Sequence, residues 1–439
     1  MKKILLALAL VASLQVASAQ QVKTVEAAKS AVEAAKAATL DAKKSSKMAT
    51  WLKYGQALVD SYNASAGNGL LNTPKEQMAF IMGKDKPSST ETVTIDGEAW
   101  TKEVYDTKNY YYSPNGVLTM VEITKPAVPN ALADAVKAFE TAAKLDTKGQ
   151  KTKDITSALQ DIASKFVNDG YTAYSLQHFA ESSEYFEQAA LTSQTAPLSQ
   201  IDTNSIYSAG VTASVAGDVE RTKKFMQQCL DLGYDAKGEV YARLAEAAEK
   251  EGDAQKSKEY LENGFLKNSS NQTILVGLIN YYLNNEENSD RVFELFATAE
   301  ANEPNNPSLY ANEGSAYAKL GNEEKALEAF RKAGEVDPTY VYGYTGEGSY
   351  WLGKAAKLLD EATVTEDYKK WEALVNEAND IYKKCIDPFE KAFNLTNDEQ
   401  VKLGCAEYLK SIYYRFSSDS DDYMAKYKVY DTYVKEHQK

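Results

Sequence analysis

The chain repeats itself, and that limits the folds open to it more than any other feature. A large apolar residue recurs at Met226, Leu261, Phe296 and Phe330, and a small residue follows each of them at Cys229, Gly264, Ala299 and Ala333. A third series, Gly210, Ala245, Asn280 and Gly314, keeps the same steps of 35, 35 and 34 residues. A period of this length marks a stack of like supersecondary units, each of which can bury its apolar face only against its neighbours. Within one period, Pro307 to Pro338 reads as an amphipathic helix, a turn at Gly321-Asn322, a second amphipathic helix and a proline stop. Gly314, Ala326 and Ala333 let the two helices approach closely, and Tyr310, Tyr317 and Phe330 fill the space beside them.

This stretch resembles the tetratricopeptide repeat almost residue for residue, departing mainly at Glu313, where the family prefers Leu. The resemblance implies an all-α fold, a right-handed superhelical solenoid of about seven helix pairs. Outside the regular block the register is interrupted. Phe186 and Ala189 precede Met226 and Cys229 by 40 residues, which leaves an extra loop around Pro197. Tyr344, Gly348 and Tyr350-Trp351 open a first helix whose partner anchors, Phe389 and Ala392, arrive 59 residues after Phe330 and Ala333, so the last repeat (341–397) is elongated. At the other end Ala135, Phe139 and Ala142 form a second helix, and Trp51, Tyr54, Gly55 and Leu58 supply its first. An insertion at about 63–129 therefore splits this first repeat (48–146). Its β-prone runs, Thr92–Ile95, Val104-Tyr105, Tyr110–Tyr112 and Val117–Ile123, with a turn at Ser113–Gly116, predict a small hairpin or three-stranded sheet. Residues 20–47 read as an N-terminal capping helix, 147–397 as the remaining array and 398–439 as C-terminal capping helices.

Composition narrows the function. Only 2 His and 3 Cys occur, so the usual metal sites and Ser-His or Cys-His nucleophile systems lack parts. The formal charge of −14 argues against nucleic acid, whose binders work by phosphate neutralisation. Only five of the basic residues are Arg, which disfavours bidentate clamps. Lys2-Lys3, the apolar run Ile4–Leu14 and Ala17-Ser18-Ala19 read as a signal peptide (1–19) cleaved before Gln20. No Cys follows that site, and no later run is long enough to span a membrane. The expectation is a soluble exported protein, located in the periplasm and not a lipoprotein. The layout also resembles exported repeat proteins of Bacteroidota.

The remaining candidates divide into packing and surface. Cys385 and Cys405 fall on neighbouring helices, where a disulfide is conceivable and two small buried hydrophobes is the favoured reading. Cys229 occupies the small-residue slot. Asp419, Asp421 and Asp422 lack the Gly and Glu of a calcium loop and suit a helix N-terminus instead. His178 falls at a turn with no partner in view. Tyrosine is in excess at 30. Tyr54, Tyr241, Tyr310, Tyr317 and Tyr344 fall on packing anchors. Tyr171, Tyr174, Tyr207, Tyr281 and Tyr342, with Asn168, Asn312 and Ser315, fall in the register on first-helix faces that line the inner surface of such a solenoid. Ser208, Lys250, Asn285 and Ser349 neighbour them. Tyrosine among Asn and Ser suits recognition, since it offers apolar area at low rotamer cost with a polar tip; the alternative is that these rings merely cover helix surface. The predicted function is a non-catalytic scaffold that binds a protein or peptide in its groove, with no cofactor, no metal, no nucleic acid and no membrane insertion. A glycan- or glycopeptide-binding module is the alternative, and an enzyme with its site in the insertion is a third reading.

Overall fold

A computed structural model describes residues 23–83, 85–285 and 289–437. Residues 1–19, read from sequence as a signal peptide, lie outside the described residues. The chain divides into two compact units, Met1–Tyr234 and Asp235–Lys439. The first contains α1 (Val25–Leu40), α2 (Met48–Ala66), α3 (Lys75–Met82), four strands, α4 (Ala131–Leu145), α5 (Thr152–Ser175), α6 (Phe179–Gln194), α7 (Thr203–Ala216) and α8 (Val219–Asp231). The second contains α9 (Glu239–Lys250), α10 (Ala254–Lys267), α11 (Gln272–Asn284), α12 (Ser289–Asn302), α13 (Pro307–Lys319) and α14 (Glu323–Val336). It continues with α15 (Val341–Thr363), α16 (Tyr368–Lys384), α17 (Ile386–Leu395), α18 (Glu399–Arg415) and α19 (Asp421–His437). Helices pair in sequence: α2 with α4, α5 with α6 and α7 with α8 in the first unit, and α9 with α10, α11 with α12, α13 with α14 and α15 with α16 and α17 in the second. The all-α repeat architecture with a small sheet is the one expected.

Local chemistry sets the turns. Gly217, Gly252 and Gly321 follow α7, α9 and α13 with φ of +79°, +80° and +76°, a conformation only glycine adopts freely. The next residue, Asp218, Asp253 or Asn322, caps the following helix by accepting from the N–H three residues on, at 3.0, 2.9 and 3.3 Å. One Gly-Asx dipeptide therefore ends one helix and starts its partner.

In five of the pairs a missing side chain meets a large one. A Cβ at Gly55 would lie 3.0 Å from Phe139, at Gly170 3.0 Å from Phe186, and at Gly210 2.7 Å from Met226. In the second unit the same test gives 2.7 Å from Gly314 to Phe330 and 2.9 Å from Gly348 to Phe389. Gly55 and Phe139 meet although a whole sheet intervenes in sequence. Bridges between successive repeats follow the same register. Glu187, directly after Phe186, receives Arg221 at 2.8 Å and also Lys224. Glu262, directly after Leu261, receives Arg291 at 2.9 Å and the Tyr282 hydroxyl at 2.7 Å. Glu390, directly after Phe389, accepts from Tyr413, Lys426 and Tyr430 at 2.9, 2.9 and 3.0 Å. Burial pushes the pKa of these carboxyls up, but the donated hydrogen bonds outweigh it and hold all three below the usual value.

The insertion is an antiparallel meander of four strands, one more than the sequence suggested: β1 (Ser89–Ile95), β2 (Glu98–Val104), β3 (Lys108–Tyr112) and β4 (Leu118–Ile123). The Glu and Lys residues of β2 hid it from a reading based on apolar runs. Met78 and Met82 of α3 cover one face, against Tyr105, Tyr110, Tyr112 and Leu118. Ile95, Tyr111 and Met120 on the other face pack with Leu176 at the end of α5. The sheet also finishes α2, because Tyr110 Oη and Thr107 Oγ1 donate to the helix-end carbonyls of Ala66 and Ser65, both at 2.8 Å. The helix runs on to Ala66, past the expected start of the insertion near residue 63. Tyr62 is core: its hydroxyl donates to Asp169 at 2.7 Å, and burial pushes that carboxyl up to about 7.

At the far end the elongated pair has a cause for its break. Pro388 has no N–H for the Lys384 carbonyl, and the helix is interrupted at Cys385 between α16 and α17.

Two expectations follow. Gly314→Ala should cost about 1–3 kcal/mol, because the new methyl overlaps the Phe330 ring in a packed interface; urea unfolding at unchanged m-value checks this. The second concerns Glu313, the departure from the repeat consensus. Burial first, then the charge of the facing Glu300 of α12 and a hydrogen bond between the two carboxyls, push its carboxyl up to about 7, and burial raises Glu300 as well. The folded state therefore holds a proton that the unfolded state releases near its ordinary value of 4.5, so this pair's contribution to stability falls as pH rises from there to about 7. Glu313→Gln should leave stability at pH ~5 nearly unchanged and raise it at pH ~8 by roughly 1 kcal/mol after allowance for solvent screening. An equal effect at both pH values, read by thermal melts, would refute the shared proton.

Candidate binding faces on the first helices

The candidate residues lie in two separate groups, one in each unit. In the first, Asn168, Tyr171 and Tyr174 recur every three residues on α5, which places them on one face. Asn168 is exposed and both tyrosines are half-buried. Each ring rests edge-on against an aromatic of α6: Tyr171 on Phe186 at 5.1 Å between centroids, and Tyr174 on Phe179 at 5.5 Å. Burial, then Asp202, raises the Tyr171 pKa, which keeps its hydroxyl a hydrogen-bond donor. Tyr207 on α7 is also half-buried, with Tyr234 edge-on at 5.5 Å. Its neighbour Ser208 is buried and lines no surface.

In the second unit the first helices touch in succession, α9 with α11, α11 with α13 and α13 with α15. Tyr342 on α15 is 50 % exposed beside Tyr340. On α13, Ser315 is exposed and donates to the Ala311 carbonyl at 3.0 Å, while Asn312 is half-buried. Tyr281 leans backwards. Its helix approaches α10 where Gly277 makes room for Leu261, and one turn later Tyr281 places its ring 5.0 Å from Lys258 Nζ and its hydroxyl 3.5 Å from Gln255. It is tied to repeat packing as well as to the surface.

The other candidates are structural. Cys229, Cys385 and Cys405 are free, buried thiols, and burial pushes their pKa up to about 12, 12 and 11. These are packing groups and not nucleophiles. Asp421 and Asp422 sit in the first turn of α19, and His178 is exposed at the start of α6, 3.8 Å from Glu181. Among the described residues no three His, Cys, Asp or Glu are grouped to hold a metal ion, and no helix is long and apolar enough to cross a membrane. A cavity of about 500 Å³ opens in the loop Asn302–Pro307, lined by that loop alone.

Some exposed aromatics escaped the sequence reading because they lie outside the 34-residue register. Tyr368 stacks on Trp371 at 5.8 Å next to the α15–α16 turn, and Phe80 on α3 is 87 % exposed.

No curated protein matches the chain. A repeat protein of Parabacteroides merdae is similar over 55 % of this chain and 96 % of its own, at 15 % identity and a TM-score of 0.37. One from Bacteroides fragilis is similar over 56 % and 97 %, at 18 % identity and a TM-score of 0.25. YrrB, described as a repeat protein with an unusual peptide-binding site, covers 44 % of this chain and 95 % of its own, at 21 % identity and a TM-score of 0.32. Residues 123–339 match the family model described as tetratricopeptide repeat. Over residues 123–339 the chain, with its glycine-on-aromatic helix pairs and Gly-Asx turns, is built of tetratricopeptide repeats.

Proposed function

We propose that this protein is a non-catalytic scaffold of the periplasm that binds a protein or peptide partner on its first-helix faces. The observation that carries this reading is the set of half-exposed tyrosines in the first unit, Tyr171, Tyr174 and Tyr207. Each is held in place by a second aromatic ring underneath or beside it. A ring already fixed before binding loses little rotamer freedom when a partner covers it, so its apolar area and hydroxyl are available at low entropic cost. Asn168 beside them supplies donors and acceptors for a partner's backbone. The groups with chemistry to offer an enzyme are engaged elsewhere: Asp169 with Tyr62, and Glu313 with Glu300, inside helix contacts. Export rests on the residues before Gln20.

A photo-crosslinking residue placed at Tyr174 or Tyr207 in the native cell should capture one and the same polypeptide, and placed at exposed Glu184 on α6 should not. Equal capture at all three positions would refute a binding face. With that polypeptide purified, Tyr174→Ala and Tyr207→Ala should each weaken binding by roughly 1–3 kcal/mol, the range for aromatic anchors, with little change in the melting curve.

N-terminal sequencing of the native protein should begin at Gln20. A chain that still carries Met1 in the mature cell fraction would overturn the periplasmic part of the reading and leave the scaffold part standing.

A further inference from the structure

The four-stranded sheet has an open edge. Its order is β1-β2-β3-β4, so β1 has a strand on one side only among the described residues. Ser89–Thr92 and Thr94 are exposed, and only Ile95 is buried. The direction of the backbone groups follows from the turn. Asp96-Gly97 is a two-residue connection with φ of +52° and +80°, which sets Ile95 opposite Glu98 as the closing hydrogen-bonded pair. Antiparallel ladders alternate, so Val93 with Trp100, Glu91 with Lys102 and Ser89 with Val104 are bonded pairs in turn. The N–H and C=O of Thr90, Thr92 and Thr94 therefore point away from β2, to the open side.

Edge strands are normally blunted by proline, lysine or a bulge. Ser89–Ile95 contains no proline or lysine, its one charge, Glu91, is paired with Lys102 within its own sheet, and its register with β2 is unbroken over all seven positions. Its outward residues are three β-branched threonines, good strand formers that block nothing.

We propose that β1 is a self-association edge, pairing antiparallel with β1 of a second copy about a two-fold axis through Thr92 and joining two sheets into one of eight strands. The outward residues are symmetric about that position. Thr90 meets Thr94 of the second copy, Thr92 meets Thr92, and Thr94 meets Thr90, so every outward donor and acceptor of one edge finds its counterpart on the other. On the opposite face Glu91 comes to lie against Val93 and Ser89 against Ile95. No like charges stand directly opposite, and each Glu91 keeps its own Lys102 at 3.8 Å. An axis through residue 91 would oppose two glutamates and lose one pair; an axis through Val93 would also lose one. A seven-residue edge covers less than the ~800 Å² per partner of a standard interface, so the association is reversible and grows with concentration.

The test uses the full chain. Sedimentation velocity from about 1 µM to about 1 mM should show a monomer–dimer equilibrium, and Thr92→Pro should raise the dissociation constant at least ~10-fold, since it deletes an outward N–H on the axis and no bond to β2. Should that variant fold poorly, Thr92→Lys, which opposes two ammonium groups, must have the same effect. Register is read by cysteine. The paired Cα atoms at the axis lie about 5.5 Å apart, so Thr92→Cys should give an oxidised dimer and Ser89→Cys should not. A chain that stays monomeric throughout, a dimer indifferent to both Thr92 variants, or equal cross-linking at residues 89 and 92 overturns the proposal. So does a monomer whose β1 amides become protected from hydrogen exchange only on addition of an extended foreign peptide.

Discussion

Five helix pairs depend on one contact, that of a large side chain resting where its partner helix has no Cβ, while Ala245 and Asn280 hold that slot in α9 and α11. Phe186 lies on Gly170, Met226 on Gly210, Phe330 on Gly314 and Phe389 on Gly348. Two helices approach this closely only when the contact position is nearly bare, and the ring then occupies the space that the glycine leaves. Glycine is an unfavourable residue within a helix, by about 1 kcal/mol relative to Ala. Its presence in the middle of α5, α7, α13 and α15 therefore reports what the packing requires. The contact also tolerates interruption. Gly55 and Phe139 keep it with a sheet inserted between their helices, because two adjacent helix ends constrain the intervening chain only at its points of entry and exit.

A second layer of order is laid on that contact. The residue directly after the large anchor is a glutamate in three places, and each is bridged by a cation from the next repeat or capping helix: Arg221 to Glu187, Arg291 to Glu262 and Lys426 to Glu390. This gives two of the five arginines, Arg221 and Arg291, a structural task. Partly buried ion pairs of this kind contribute little net stability, because desolvation offsets most of their attraction. Where the pattern departs, the departure has consequences. Glu313 replaces an apolar residue and meets another carboxylate, which makes a proton part of the α12–α13 contact.

The same economy bears on recognition. Tyrosines next to the packing contact serve two roles at once: one edge stabilises the pair and the other remains exposed. Tyr171 beside Gly170 touches the same Phe186 ring that fills the glycine's space. Such a surface is fixed by helix packing alone, with no mobile loop, and the proposed binding face would use it as it stands.

The repeat, its paired helices and the contact residues were legible from sequence because they recur at a fixed interval, and a fixed interval is a local property. Gly314 and Phe330 sit sixteen residues apart in one period, so their meeting was implied by helix geometry and one short turn. Gly55 and Phe139 could be matched only by carrying that rule over a long gap. What the tertiary structure alone decided lies outside the period. Of the strand β2 only its end at Val104 was marked in sequence, because its partly covered faces carry Glu and Lys, whose burial state depends on neighbours brought by β3. The end of α2 at Ala66 was set by hydrogen bonds from Tyr110 and Thr107, far along the chain. Whether a tyrosine points outward or back onto α10, as Tyr281 does, depends on the helix beside it. Sequence determines which residues can occupy a repeated slot; only the packed neighbours determine which way a side chain between two slots turns, because that choice is made by the space left over.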